Sequence, residues 1–222
     1  FNDIVDRKID AQVERTKNRP LANKTMSLFE AILLLLVLLF LSLCILISLN
    51  TVTIIIGLIS LILVATYPFM KRITHWPQLF LGITFNWGII MGWTSVSESL
   101  SPVIFLIYLS SIFWTLGYDT VYGYQDIVDD KIIGIKSTAV LFEKNPKTPI
   151  YTFYIISFLL MFMAMIWIGS DYKTFLVFLC AVMLGIVLLG KLNLREVQSC
   201  ASFFSANKYI GFLVVSALAL SI

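Results

Sequence analysis

Residues 28–49 read LFEAILLLLVLLFLSLCILISL, and no charge follows Glu30 within them. A run of that length matches the roughly 20 apolar residues a helix needs to cross a ~30 Å hydrocarbon core. Further runs follow at about Thr51 to Pro68, Leu79 to Val96, Pro102 to Tyr118, Ile150 to Ile168, Tyr172 to Leu189 and Tyr209 to Ile222, divided by short loops that collect nearly all the charge. Buried core helices of a soluble protein look similar one at a time, but so many in succession leave too little polar surface to coat a soluble body. Composition agrees: of 222 residues 59% are hydrophobic and 13% charged, and mean hydropathy is +0.92. The expectation is an all-α, polytopic transmembrane helix bundle of about seven helices, one integral-membrane domain over residues 1–222.

Loop charge orients the bundle. One side carries Arg7, Lys8, Arg15, Lys17, Arg19, Lys24, Lys71, Arg72, Lys131, Lys136, Lys144, Lys147, Lys191, Arg195 and Lys208, and the other only Lys173. By the positive-inside rule the first side faces the cytoplasm or the mitochondrial matrix. The net charge of +3 therefore reflects topogenesis and phosphate chemistry. No basic stripe interleaves with exposed aromatics, which argues against a nucleic-acid partner. Cys44 and Cys180 lie in apolar runs and Cys200 in a positive-side loop, and this scatter suggests neither a disulfide framework nor a zinc site.

Acids are distributed unevenly. Of eight aspartates, seven fall in two clusters on the positive side: Asp3, Asp6 and Asp10, then Asp119, Asp126, Asp129 and Asp130. On a helix the spacing of four puts Asn2, Asp6 and Asp10 on one face. Tyr122, Asp126 and Asp130 repeat that spacing just after a membrane helix. Stacked like charges are mildly destabilising unless a cation bridges them, and Mg²⁺ suits a site with a few carboxylates and room for phosphate oxygens. One such ladder reads plainly as a polar helix end. Two at the same membrane face, among basic residues, point to facing ladders that clamp a diphosphate through metal.

Between them in sequence lies Tyr67-Pro68-Phe69-Met70-Lys71-Arg72, where Pro68 is expected to end a membrane helix. Lys71 and Arg72 serve either as topogenic anchors or as cations for a diphosphate leaving group; Arg15 and Arg19 are further candidates for the second role. His75 is the sole histidine and has no nucleophile beside it, so it reads as interfacial. Trp76, Trp87, Trp93, Trp114 and Trp167 read as belt or packing residues, some of them candidates to line a channel for a hydrocarbon chain.

Taken together, Asn2-Asp3-x-x-Asp6-x-x-x-Asp10 with Arg15-Thr16 and Arg19-Pro20, Tyr67-Pro68-x-Met70-Lys71-Arg72, Asp119-Thr120-x-Tyr122 with Asp126-x-x-Asp129-Asp130, and Gly134-x-Lys136-Ser137-Thr138 resemble the UbiA superfamily. Pro77-Gln78-Leu79, Gly82 and Phe85-Asn86-Trp87-Gly88 resemble its 4-hydroxybenzoate-directed branch more narrowly. The resemblance implies a nine-helix bundle with a catalytic cap on the cytoplasmic or matrix side of a bacterial or mitochondrial inner membrane. It implies Mg²⁺-dependent transfer of a polyprenyl chain from polyprenyl diphosphate to 4-hydroxybenzoate, in ubiquinone biosynthesis. Carried over, Asn2, Asp6 and Asp10 form the first metal and diphosphate motif, Asp126 and Asp130 the second, and Tyr67, Lys71 and Arg72 the central loop that contacts substrate and diphosphate. Arg15 and Tyr122 join the substrate-binding set, and Asp6, Asp10, Asp126, Asp130 and Arg72 the catalytic set.

The chain opens at Phe1, and the first acidic cluster starts at once, so the expectation is a domain lacking its first two helices. Sibling haem O, menaquinone or chlorophyll prenyltransferases would share both ladders. A CDP-alcohol phosphotransferase would want an Asp-Gly-x-x-Ala-Arg run, which the sequence lacks. A transporter would carry ionisable residues near mid-membrane, where these runs hold almost none.

Overall fold

The computed structural model describes residues 1–220, and among them the chain forms helices joined by turns, with no strand. Among the described residues, seven helical stretches are long and apolar enough to cross a membrane. Lipid imposes this form, because a spanning backbone without water must satisfy its own N–H and C=O groups. In chain order the elements are α1 (Asn2–Asp10), α2 (Leu28–Leu46), α3 (Thr51–Thr66), a 3₁₀ turn (Tyr67–Phe69) leading into α4 (Met70–Ile73), α5 (Pro77–Phe85), α6 (Trp87–Ser97), α7 (Pro102–Gly123), α8 (Ile127–Ile133), α9 (Thr138–Leu141), α10 (Lys147–Ile168), α11 (Tyr172–Lys191) and α12 (Val197–Ala219).

Local chemistry starts and stops these helices. α2 opens on a capping box in which Ser27 and Glu30 bond each other's backbone N–H. It is apolar on all sides, and Ala31 is its one buried residue. Asn50 caps α3 by accepting from Thr53 N at 2.9 Å, and its Nδ2 donates to Thr94 O on α6.

At the centre is α7, packed along α10. Gly117 makes their approach close: a methyl there would lie 2.6 Å from the Tyr154 ring. Ser110 Oγ donates to Ser157 O at 2.8 Å. Small residues and interhelical hydrogen bonds of this kind replace the hydrophobic effect as the cohesive force in lipid. α12 joins through Asn207, whose Oδ1 accepts from Trp114 Nε1 of α7 and from the Tyr154 hydroxyl of α10.

Several boundaries differ from the sequence reading. α3 ends at Thr66, just ahead of Pro68, which sits in the first turn of the 3₁₀ segment where a missing N–H costs nothing; the chain does not leave the helical path there, and α-helix resumes from Met70 to Ile73. The third run breaks at Asn86, whose Nδ2 donates to Gly82 O, Ser111 O and Thr115 Oγ1. α7 continues past Tyr118, so Asp119 is helical. α12 begins at Val197, which places Cys200 and Lys208 in a helix instead of a loop. Polar residues there depress hydropathy, yet Asn207 is satisfied inside the bundle. The expected end of this run at Ile222 lies outside the described residues.

Candidate active site

Four-residue spacing on α1 puts Asp6 and Asp10 on one buried face, 1% and 6% exposed, with Asn2 half-buried. A buried carboxylate costs several kcal/mol unless it is paired, and both are. Lys71 Nζ lies 2.7 Å from Asp6 Oδ2 and Arg72 lies 3.3 Å from Oδ1. Asp6 Oδ2 has no hydrogen bond of good geometry, so its contact with Lys71 is chiefly charge on charge. Arg19 bridges Asp10 at 3.1 Å and Asp3 at 3.2 Å. Burial raises the Asp10 carboxyl above the usual range despite the opposing charge of Arg19.

The second cluster is not one helical face. α7 ends at Gly123, the chain turns, and Asp126 stands at the N-cap of α8. Arg15 clamps Asp126, with Nε 2.9 Å from Oδ1 and Nη2 2.5 Å from Oδ2. The same guanidinium donates to the Tyr122 hydroxyl and lies 4.6 Å over its ring. Tyr122 stacks on Phe204 of α12, with ring centroids 4.4 Å apart, and Phe204 also meets Tyr118. Burial lowers the Arg15 pKa, but the hydrogen bonds and charge of Asp126 outweigh it and raise it overall. Asp130 is pushed up to about 6 by burial and then by the charge of Asp126, against the pull of Lys71.

The stretch after α8 closes the site from the side. Gly134 takes a left-handed φ of 79°, which favours glycine. Lys136 then donates its backbone N–H to Lys71 O and its Nζ to Ile73 O. Glu14 N donates to Asp129 Oδ2, a second tie between the segment after α1 and α8.

These elements enclose a polar cavity of about 210 Å³. Asn2, Asp10, Arg15, Tyr67, Lys71, Tyr122, Asp126 and Asp130 line it, and so does Arg19. Asp6 and Arg72 do not line it and instead pair with each other. Asp119 and Gln78 are walls to which the sequence reading gave no role. Asp119 was visible in the second cluster. Gln78 carried only the resemblance, because its partner, the Thr138 N–H, lies far along the chain.

Among the described residues the cavity wall offers carboxylate and amide oxygens and neither histidine nor cysteine. That hard donor set suits Mg²⁺. No three acidic, cysteine or histidine side chains among the described residues converge to hold an ion alone. Mg²⁺ fits this arrangement, since it uses one or two carboxylates and completes its shell with phosphate oxygens and water. A second cavity, about 480 Å³ and almost wholly apolar, lies between α6, α7, α10 and α12, with Trp93 and Trp114 in its wall. Trp76 instead packs edge-on against Phe142, and Trp87 donates to Ile56 O.

Residues 1–215 match the UbiA prenyltransferase family. The chain is 41% identical over 219 residues to the mitochondrial 4-hydroxybenzoate polyprenyltransferase of Rattus norvegicus, across 96% of this chain and 58% of the rat protein. With the mitochondrial 4-hydroxybenzoate polyprenyltransferase of Arabidopsis thaliana the identity is 40%, across 99% and 54%. With the 4-hydroxybenzoate octaprenyltransferase of Colwellia psychrerythraea it is 39%, across 99% and 77%. The chain thus spans little more than half the length of the two mitochondrial relatives. Among solved structures, the apo structure of a UbiA homolog from Aeropyrum pernix K1 superposes with a TM-score of 0.83 at 22% identity, covering 99% of this chain and 82% of that one. It shares the fold.

Proposed function

The chain belongs to the UbiA prenyltransferase family, and we propose that it transfers a polyprenyl chain from polyprenyl diphosphate to the ring of 4-hydroxybenzoate, in ubiquinone biosynthesis. It acts as one membrane domain of a bacterial or mitochondrial inner membrane, with the polar cavity facing cytoplasm or matrix. One observation carries the reading: two acidic clusters far apart in sequence wall one cavity together with Arg15 and Lys71, at the end of an apolar bundle.

In this reaction the allylic C–O bond breaks and its electron pair leaves on the diphosphate. A ring carbon bonds the allylic carbon, and the ring proton passes to water. Arg15 and Lys71 donate to diphosphate oxygens, where charge grows as the bond breaks, and stabilisation of this kind is commonly the largest catalytic contribution. Asp10, Asp126 and Asp130, with Asn2, are the groups that would hold Mg²⁺, and Asp6 keeps Lys71 in place. Bound Mg²⁺ supplies charge neutralisation for the leaving diphosphate. The apolar cavity suits a hydrocarbon tail.

The test is prenyl transfer by the purified protein in detergent, with product identified by mass spectrometry. Prenylated 4-hydroxybenzoate is expected. Transfer only to another aromatic acceptor would reassign the substrate, and no transfer to any acceptor would overturn the proposal.

A further inference from the structure

We propose that Gln78 is a substrate-contacting residue that sets acceptor specificity by donating a hydrogen bond from its amide Nε2 to an oxygen of the aromatic acceptor; this rests on the prenyl-transfer reading above. The amide's orientation follows from its partner. Gln78 Oε1 accepts from the backbone N–H of Thr138 at 3.0 Å, and a backbone N–H can only donate, so the NH₂ group must point the other way. Thr138 is itself held by a 2.7 Å hydroxyl contact with Thr120 of α7.

The side chain is 7% exposed, and no hydrogen bond joins its Nε2 to the protein among the described residues. Nε2 is not one of the buried atoms left without a partner, so what remains exposed of the side chain opens this donor on the cavity. An acceptor oxygen of the substrate takes the place of water there, and a wrong group facing the donor costs binding free energy. The cavity supplies the place. Gln78 lines it beside Gly123, whose backbone runs close to the amide: a Cβ there would lie 3.5 Å from Nε2, at ordinary contact distance.

The choice of acceptor over diphosphate comes from α5. Its cavity-facing residues are Pro77, Gln78 and Leu81, one neutral donor between two apolar side chains. Diphosphate oxygens call for the cations Arg15, Arg19 and Lys71 on the other walls. A flat ring bearing one or two oxygens suits the α5 face.

Gln78→Glu separates recognition from structure. Glutamate keeps an oxygen for the Thr138 N–H, yet turns the cavity-facing donor into an acceptor. The expected result is a KM for 4-hydroxybenzoate raised roughly tenfold or more, with KM for polyprenyl diphosphate and the thermal midpoint unchanged. Weaker 4-hydroxybenzoate binding by calorimetry is expected in parallel. A matching rise for 4-aminobenzoate, which keeps the carboxylate and lacks the phenol oxygen, assigns the contact to the carboxylate, and a rise for 4-hydroxybenzoate alone assigns it to the phenol oxygen. A KM rise confined to polyprenyl diphosphate, or a fall in kcat or stability with both KM values unchanged, overturns the inference while leaving the reaction standing. A wild-type protein without transfer activity strikes the functional reading instead.

Discussion

The two acidic clusters meet at one cavity but are built differently. The first is a single short helix whose carboxylates are placed by helical spacing and neutralised by Lys71, Arg72 and Arg19. The second is divided between the last turn of α7 and the N-cap of α8, and its aromatic member leans on α12. In the first cluster, therefore, Asp6 is part of the packing that holds α1 against α4. In the second, Asp126 is held by Arg15 at a site where its side chain is 14% exposed, and removing its charge disturbs the chemistry more than the fold.

The largest expected effect falls on both clusters together. Chelation with EDTA is expected to stop transfer completely and Mg²⁺ to restore it, with Zn²⁺ a poor substitute because the cavity wall offers oxygen donors only. A chelator-resistant enzyme would remove the metal from both clusters.

Next come the single carboxylates, where the clusters should part. Asp126→Asn is expected to lower kcat on the order of 10²–10³-fold with little change in thermal unfolding followed by circular dichroism. Asp6→Asn is expected to lower activity and also stability, by about 2 kcal/mol. That lies below the usual cost of breaking a buried pair, because Lys71 and Arg72 keep contact with solvent. Equal stability losses in the two variants would erase the distinction.

How much of this could be read in the chain beforehand depends on whether the signal was local. Seven runs were legible because hydropathy is a property of each stretch alone. The first half of α12 was not, since Asn207 lowers the hydropathy of a segment whose polarity is satisfied only by Trp114 and Tyr154. The same holds at the cavity. Asn2, Asp6 and Asp10 share one helix, and their spacing gave their common side. The break between Tyr122 and Asp126 was hidden, because Arg15 and Phe204, which fix the geometry there, come from opposite ends of the chain. Burial of Asp6 was hidden for a related reason: position near a membrane surface does not reveal that α4 covers it.

A smaller effect is expected from the aromatic prop. Phe204→Ala removes the ring on which Tyr122 stacks, while the Asn207 anchor one turn further along α12 is untouched. A loss of roughly tenfold in kcat/KM is expected, at the upper end of what an aromatic pair contributes, with the protein still folded. No loss would mean that Arg15 and Asp126 hold the second cluster without help from α12.

The smallest effect tests which part of Tyr122 matters. Tyr122→Phe keeps the ring that stacks on Phe204 and lies under the Arg15 guanidinium, and deletes only the hydroxyl that accepts from Arg15 Nη1. Arg15 retains its contacts with both carboxylate oxygens of Asp126, so the cost is one hydrogen bond on a group already oriented, roughly three- to tenfold in kcat/KM. The decisive measurement is the double variant. If the ring stack positions Tyr122 so that its hydroxyl can reach Arg15, then once Phe204 is gone the hydroxyl is already misplaced, and deleting it should cost little more. The two losses should be less than additive, with a coupling of at least 0.5 kcal/mol, the lower edge for residues in contact. Strict additivity would mean that the stack and the hydroxyl act independently, as two separate supports of the second cluster beside its ion pair.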